Sequence, residues 1–296
     1  MPAPALPFSV LVEFTHADVQ AIAADHGVDL LHIKGHALDP TLRRPWPDAS
    51  TGELRTSIDA DVLVRPSHVN RFAAALNAQG WRRLFDFADG SAFEHAATWG
   101  LDGLASLDVH RYFPGIEIDP EQAFDILWSA RESIQIAGIT CPVPSLTAQR
   151  LIVVIHAARG RSRRDAADRG RAWESLSDSE REEIDQLAER LGARVALYAG
   201  TGRLASVRGE RTYPLWRHLT EGGGSRLDLW WSRVVSAPDT RSAIRIGARM
   251  ILPNTRRMET HLGRPPTGRE IARAYAARVA LGVRTIRRSL ARRGQR

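Results

Sequence analysis

The sequence predicts an α+β protein in two parts, a strand-bearing first half (residues 1–144) and a basic, mainly helical second half (residues 145–296). Three observations lead there. Short apolar runs of strand length recur before Pro144, apolar residues at helical spacing dominate after Ser145, and the net charge changes sign between the two. Residues 1–144 carry nine arginines and one lysine against nineteen acids, a balance of −9; residues 145–296 carry 31 arginines against fifteen acids, a balance of +16. Such asymmetry points to different work in the two halves and to an anionic partner for the second: nucleic acid, nucleotide, acidic protein or anionic lipid.

A length of 296 residues suits one large domain or two ordinary ones. With 43% hydrophobic and 25% charged residues and a mean hydropathy of −0.27, the chain is not a disordered or fibrous one. The single cysteine, Cys141, excludes an internal disulfide framework and a thiolate-rich zinc site. No apolar run approaches the roughly 20 residues of a membrane helix, and no basic residue precedes Lys34 as a signal peptide would require. The expectation is a cytoplasmic protein with no integral membrane segment.

In chain order, residues 16–26 have helical spacing with Val19, Ile22 and Ala23 on one face. VDLLHI, 28–33, reads as a buried strand that ends in Lys34-Gly35, after which HALDPTL opens a helix before a Pro-rich loop at Pro45 and Pro47. SIDADVLV, 57–64, is the second strand. SHVNRFAAALNAQG follows as a helix with Ser67 as its N-cap and Gly80 as its C-cap. Segments 81–87 and 91–99 around Asp89-Gly90 form a hairpin, and 105–113 is the next strand. From Ser145 the chain is helical. Ser177 or Asp178 caps one of the later helices, residues 194–206 form another, and 209–226, with Gly222, Gly223 and Gly224, reads as a flexible loop. The stretch 236–296 alternates arginine with aliphatic residues at helical spacing, fifteen arginines against three acids.

Acids inside apolar strands need an explanation. Asp59 and Asp61 are two apart in a strand and so project from the same face. Two close carboxylates repel and raise one pKa unless a cation lies between them. With oxygen donors and neither Cys nor His in the motif, the hard ions Mg2+ or Mn2+ suit better than zinc. Asp108, mid-strand in LDVHRYF, has His110 on its own face. If strands 57–64 and 105–113 are neighbours, Asp59, Asp61 and Asp108 surround one or two metals, a geometry suited to phosphoryl transfer. Lys34 and Gly35 at a strand-to-helix turn would hold phosphates, with Arg55 and Ser57 as further donors. Lys34 is the only lysine among 41 basic residues. Where nearly every basic position has become arginine, a surviving lysine marks a place that wants a compact ammonium, unless it survives by chance.

These residues resemble a family. Lys34-Gly35, then Arg55-x-Ser57-x-Asp59-Ala60-Asp61 before a helix, then Asp108-Val109-His110, are similar to the bacterial uncharacterised nucleotidyltransferases of the polymerase-β-like superfamily, over residues ~28–165 and more weakly to the end. The resemblance implies a polymerase-β-like mixed-sheet nucleotidyltransferase domain at 1–144 with a helical C-terminal part at 145–296. It also implies NTP with Mg2+ as the donor system and the three aspartates as catalytic metal ligands. Gly35 is followed by His36 where the superfamily usually shows a second glycine or a serine.

Other singled-out residues have plainer readings. His156, on an apolar helix face, is a hydrogen-bonded core histidine or, as the resemblance includes a histidine there, an accessory one. His95 faces either the cleft or solvent, Asp165 partners Arg163 and Arg164, and Trp230-Trp231 is core or interface. Three functions compete. The first is transfer of an NMP from an NTP to a hydroxyl or phosphate acceptor on a small molecule, RNA or protein. The second is a toxin-like enzyme acting on tRNA ends, and the third a catalytically silent nucleotide- or protein-binding scaffold, against which the three intact acids count.

Overall fold

The computed structural model describes residues 6–43, 57–90, 93–222 and 225–293. Its chain divides into two compact units, Met1–Arg203 and Leu204–Arg296. The first unit contains helix α1 (Phe8–Asp25), strand β1 (Leu30–Ile33), the short α2 (Pro40–Arg43), β2 (Asp59–Val64), α3 (Val69–Ala78), β3 (Arg82–Phe85), α4 (Phe87–Gly90), β4 (Ala96–Gly100) and β5 (Ser106–His110). It continues with α5 (Pro120–Ser129), β6 (Glu132–Ile136), β7 (Ile139–Val143), α6 (Leu146–Ala157), α7 (Arg163–Arg169), α8 (Asp178–Arg190) and α9 (Arg194–Gly200). The class is α+β, as the periodicity indicates.

Among the described residues, five strands form one sheet in the order β1-β2-β5-β4-β3, and β6 pairs with β7 separately. β2 and β5 run parallel while the other neighbours are antiparallel, so the sheet is mixed. Strand alternation then separates two faces. Ala60, Val62 and Val64 of β2, Leu107 and Val109 of β5 and Trp99 of β4 form a core with Val19, Ile22 and Ala23 of α1 and Phe72 and Leu76 of α3. Burying each large side chain there is worth about 1.5–3 kcal/mol. The residues between them on β2, β4 and β5 are left for the opposite face.

α6 is apolar nearly all round, with Leu151, Ile152, Val153, Val154 and Ile155 buried, and it packs against α7, α8 and α9. Ser145 caps it, accepting from the Ala148 N–H. The division expected at Pro144 falls inside the first unit. Gln149 of α6 accepts from the Asp39 N–H at 2.7 Å and the Leu191 carbonyl from the Glu117 N–H at 3.2 Å, so these helices are bonded to the strand-bearing part.

Some local expectations differ from the structure. After Lys34 comes a 3-10 turn, Gly35–Ala37, and only then the four-residue α2, since Lys34 and Gly35 both have positive φ and cannot start a helix. Ser67 does not cap α3: its N–H and hydroxyl bind the Glu121 carboxylate at 3.0 and 2.9 Å, and α3 starts after a turn at Pro66–His68. The hairpin of β3 and β4 forms, with the single turn of α4 in its connection. Residues 114–144 yielded no expectation, yet they hold α5 and a second hairpin closed by Ala137-Gly138, both with positive φ. Their period-two pattern is short and the turn lacks the Asn-Gly or Asp-Gly signature.

The second unit contains α10 (Tyr213–Glu221), α11 (Arg226–Val235), α12 (Thr240–Ile251), α13 (Thr255–Leu262) and α14 (Gly268–Arg293). α10 lies where a loop was expected. Leu215 and Trp216 are buried on it, Pro214 is tolerated in its first turn, and Gly222 caps its end; Gly223 and Gly224 lie outside the described residues. Trp231 is 68% exposed and is not core. No helix among the described residues is long and apolar enough to cross a membrane.

Candidate active site

β2 carries Asp59, Asp61 and Leu63 on the face away from α1 and α3. The parallel pairing sets Asp61 directly beside Asp108 and Leu63 beside His110. Across β4, Thr98 is registered with Asp108 and its hydroxyl donates to Asp108 Oδ1 at 2.7 Å. On the other side Ile33 pairs with Asp61, which brings the end of β1 to the same place. Lys34 Nζ there donates to Asp61 Oδ1 at 2.5 Å, with both side chains buried. The sheet thus assembles Lys34, Asp59, Asp61, Asp108 and His110, all expected from the sequence.

Lys34 reaches Asp61 from a backbone at φ 61°, ψ −175°, a conformation rare for a residue with a side chain. Gly35 follows at φ +48°, and a Cβ added to it would lie 2.8 Å from Ser57 Cβ and 3.0 Å from Ser57 Oγ. Glycine is therefore required by close approach as well as by backbone angle. Ser57, buried, donates its hydroxyl to Asp59 Oδ1 at 3.0 Å, which engages it with a carboxylate. Arg55 lies outside the described residues.

His110 Nε2 shares Asp61 Oδ1 with Lys34, at 2.8 Å. With a carboxylate as acceptor the histidine donates from Nε2, which leaves Nδ1 as the bare acceptor of the ring. That atom is buried and unpartnered among the described residues. Burial first, then the Lys34 charge, lowers His110 to about 4, against the pull of Asp61, so the ring is neutral at physiological pH. His95 is buried beside it, ring centroids 5.0 Å apart, and burial with the neighbouring charges lowers it to about 2.

The three carboxylates separate by environment. Burial pushes Asp61 up, but Lys34 and His110 outweigh it and hold the group well below the usual carboxylate range. Asp59 is raised by burial and then by the charge of Asp61, with the Ser57 bond opposing. Asp108 is raised to about 6, by burial first and then by Asp61. One acid is compensated by an ammonium; the other two carry the repulsion. Asp61, Asp108 and His110 each offer a ligand atom within 4.8 Å of the others.

His156, half-buried on α6, accepts at Nδ1 from Arg159 Nη2 at 2.7 Å. Asp165 receives the Ser162 N–H and hydroxyl at 2.8 and 2.6 Å and closes a capping box at the start of α7. Its bonded partner is thus Ser162, where the sequence suggested Arg163 and Arg164. Two buried features were not foreseen. His16 and His32 share a 2.8 Å bond between their Nδ1 atoms behind β1, and Arg159 sits within range of Asp61's charge. For His32 the signal was present, a histidine inside an apolar strand; for Arg159 it was not, because arginine is ubiquitous after residue 145.

Carboxylates gathered on one sheet face beside a lysine turn are the equipment of enzymes that transfer nucleotidyl groups, and that is the class this fold and site define. The model of the family of uncharacterised nucleotidyltransferases matches residues 16–209, about two thirds of the chain, and the protein belongs to that family. Solved structures give distant likenesses. The antibiotic-resistance factor ANT(2'')-Ia is 16% identical, over 67% of this chain and 95% of its own, with a TM-score of 0.37. The lincosamide antibiotic adenylyltransferase LnuA, with lincomycin bound, is 14% identical over 60% and 96%, with a TM-score of 0.33. An antigenic nucleotidyltransferase-like protein from Paracoccidioides brasiliensis is 14% identical over 69% and 97%, with a TM-score of 0.34. No curated protein matches the chain.

Proposed function

We propose that the protein moves an NMP from an NTP to a hydroxyl or phosphate acceptor, releasing pyrophosphate, with the help of Mg2+ or Mn2+. The observation that carries the reading is the register of β2 and β5, which sets Asp61 against Asp108 on the face that also bears Asp59. The donor set fits a hard divalent ion, because Asp61 and Asp108 offer carboxylate oxygens within 4.8 Å of each other, while Asp59 and Asp108, which lack the Lys34 bond, bear the repulsion of Asp61. Asp59, Asp61 and Asp108 would hold the ion, which when bound supplies Lewis acidity at the phosphoryl oxygens.

The chain's own residues do the rest. Lys34, with Gly35 giving the turn its close approach to Ser57, meets the phosphates by moving its ammonium from Asp61 toward them. His110 holds Asp61 in orientation through its Nε2–H. Asp108, of raised pKa, is suited to accept the proton of an attacking hydroxyl. Arg55 and Ser57 are further phosphate donors. An acceptor on RNA is the second reading, favoured by the twenty arginines against six acids of residues 204–296. The test is incubation with α-labelled NTPs and separate pools of metabolites, RNA and protein, with Mg2+, Mn2+ or chelator. Metal-dependent label in one pool is expected. Absence of label from every pool, under conditions where the chain binds NTP, would leave only the scaffold.

A further inference from the structure

Arg159 follows the cap of α6 and turns its guanidinium over the rings of Phe113, at 5.4 Å, and Phe93, at 5.7 Å. Nη2 donates to His156 Nδ1 at 2.7 Å, a neutral acceptor. Its Nε is buried and meets no acceptor among the described residues. Arg65, Arg150, Arg171 and Arg203, also partly buried, each hold a carboxylate within 3.0 Å. Arg159 has none within ion-pair distance among the described residues. Burial lowers its pKa only to about 10, so it remains a cation, and its charge helps to keep His95 and His110 neutral.

A half-buried cation without a bonded carboxylate is costly, and the end of α6 compensates it only in part. Its place explains why it is kept: Phe113 beneath its guanidinium stacks on His110, ring centroids 6.3 Å apart, and Phe93 meets His95 edge-on at 6.2 Å, so one layer of rings separates Arg159 from the site. The charge is felt at Asp61 and His110, on the sheet face that gathers the carboxylates, and Lys34 stands at the same Asp61. The ring contacts hold the planar fork in one orientation, and a fork held so is suited to two oxygens of one phosphate. We infer that Arg159 is a docking point for the triphosphate of the nucleotide donor, forming with Lys34 a pair of cations around the carboxylate face. This rests on the donor reading above and adds to it a residue from the helical region, outside the nucleotide motif.

The test is calorimetric titration of the full chain with ATP, inorganic pyrophosphate and adenosine, for wild type, R159M and R159K, with thermal unfolding as the check of folding. R159M is expected to weaken ATP and pyrophosphate by about tenfold to a hundredfold, the loss of charge-assisted bonds, and to leave adenosine unchanged. R159K, which keeps the charge and loses the fork, should weaken pyrophosphate several-fold and decides the matter if R159M does not fold. Wild-type affinity for pyrophosphate in the folded variants would overturn the inference, as would an equal loss for adenosine, which would trace the effect to the aromatic rings. Failure of the wild-type chain to bind any NTP would instead overturn the donor reading, and this inference with it.

Discussion

Asp108→Asn should make the metal-free protein more stable at neutral pH. Burial and then the charge of Asp61 raise this carboxyl from 3.8 to about 6, so the folded chain holds the proton more tightly than the unfolded one. Below 3.8 both states are protonated and nothing is lost; stability falls as pH rises from there, and the full cost stands above about 6. At about 1.4 kcal/mol per pH unit the cost reaches about 3 kcal/mol at pH 7.5 and about half of that at pH 5. Asparagine removes the charge and keeps an oxygen for the Thr98 hydroxyl, now bonded at 2.7 Å. Urea unfolding in chelator, wild type against D108N at both pH values, measures the gain. A variant less stable than wild type, or a gain of the same size at both pH values, would refute the argument that Asp108 carries repulsion. Adding Mg2+ should stabilise wild type and narrow the difference.

Other variants test the remaining parts. Asp61→Asn leaves the Lys34 ammonium buried without its carboxylate and should cost about 3–5 kcal/mol; the double variant K34M/D61N should recover part of that in the same unfolding assay, while both lose transfer. Lys34→Arg keeps the charge but places a wider, planar group where the side chain is only 10% exposed, so it should weaken ATP binding about tenfold or more by calorimetry. Gly35→Ala adds a Cβ 2.8 Å from that of Ser57 at a positive φ and should lower stability by about 1–3 kcal/mol, read from thermal or urea unfolding.

Much of the site could be read along the chain because strands have a period of two. Asp59 and Asp61, and Asp108 and His110, share a face by parity alone, and the turn at Lys34-Gly35 shows in the apolar run that precedes it. Helix starts were legible where a capping side chain bonds within its own turn, as at Ser145 and Ser177. They were not where the side chain had a distant partner: Ser67 answers to Glu121, far along the chain, and no local rule reports that.

The sequence by itself determined the class, the residues that carry charge into the strands, and the need of Asp59 and Asp61 for a cation, because propensity, parity and like-charge repulsion are local properties. Only the tertiary structure decided which acid has its cation. Strand order and register, which no segment encodes alone, bring Lys34 and His110 to Asp61 and leave Asp59 and Asp108 to bear the repulsion. The same holds for Arg159, one arginine among forty in sequence. It is set apart by a buried Nε that meets no acceptor among the described residues, near the carboxylate face, and burial is a property of the packed chain.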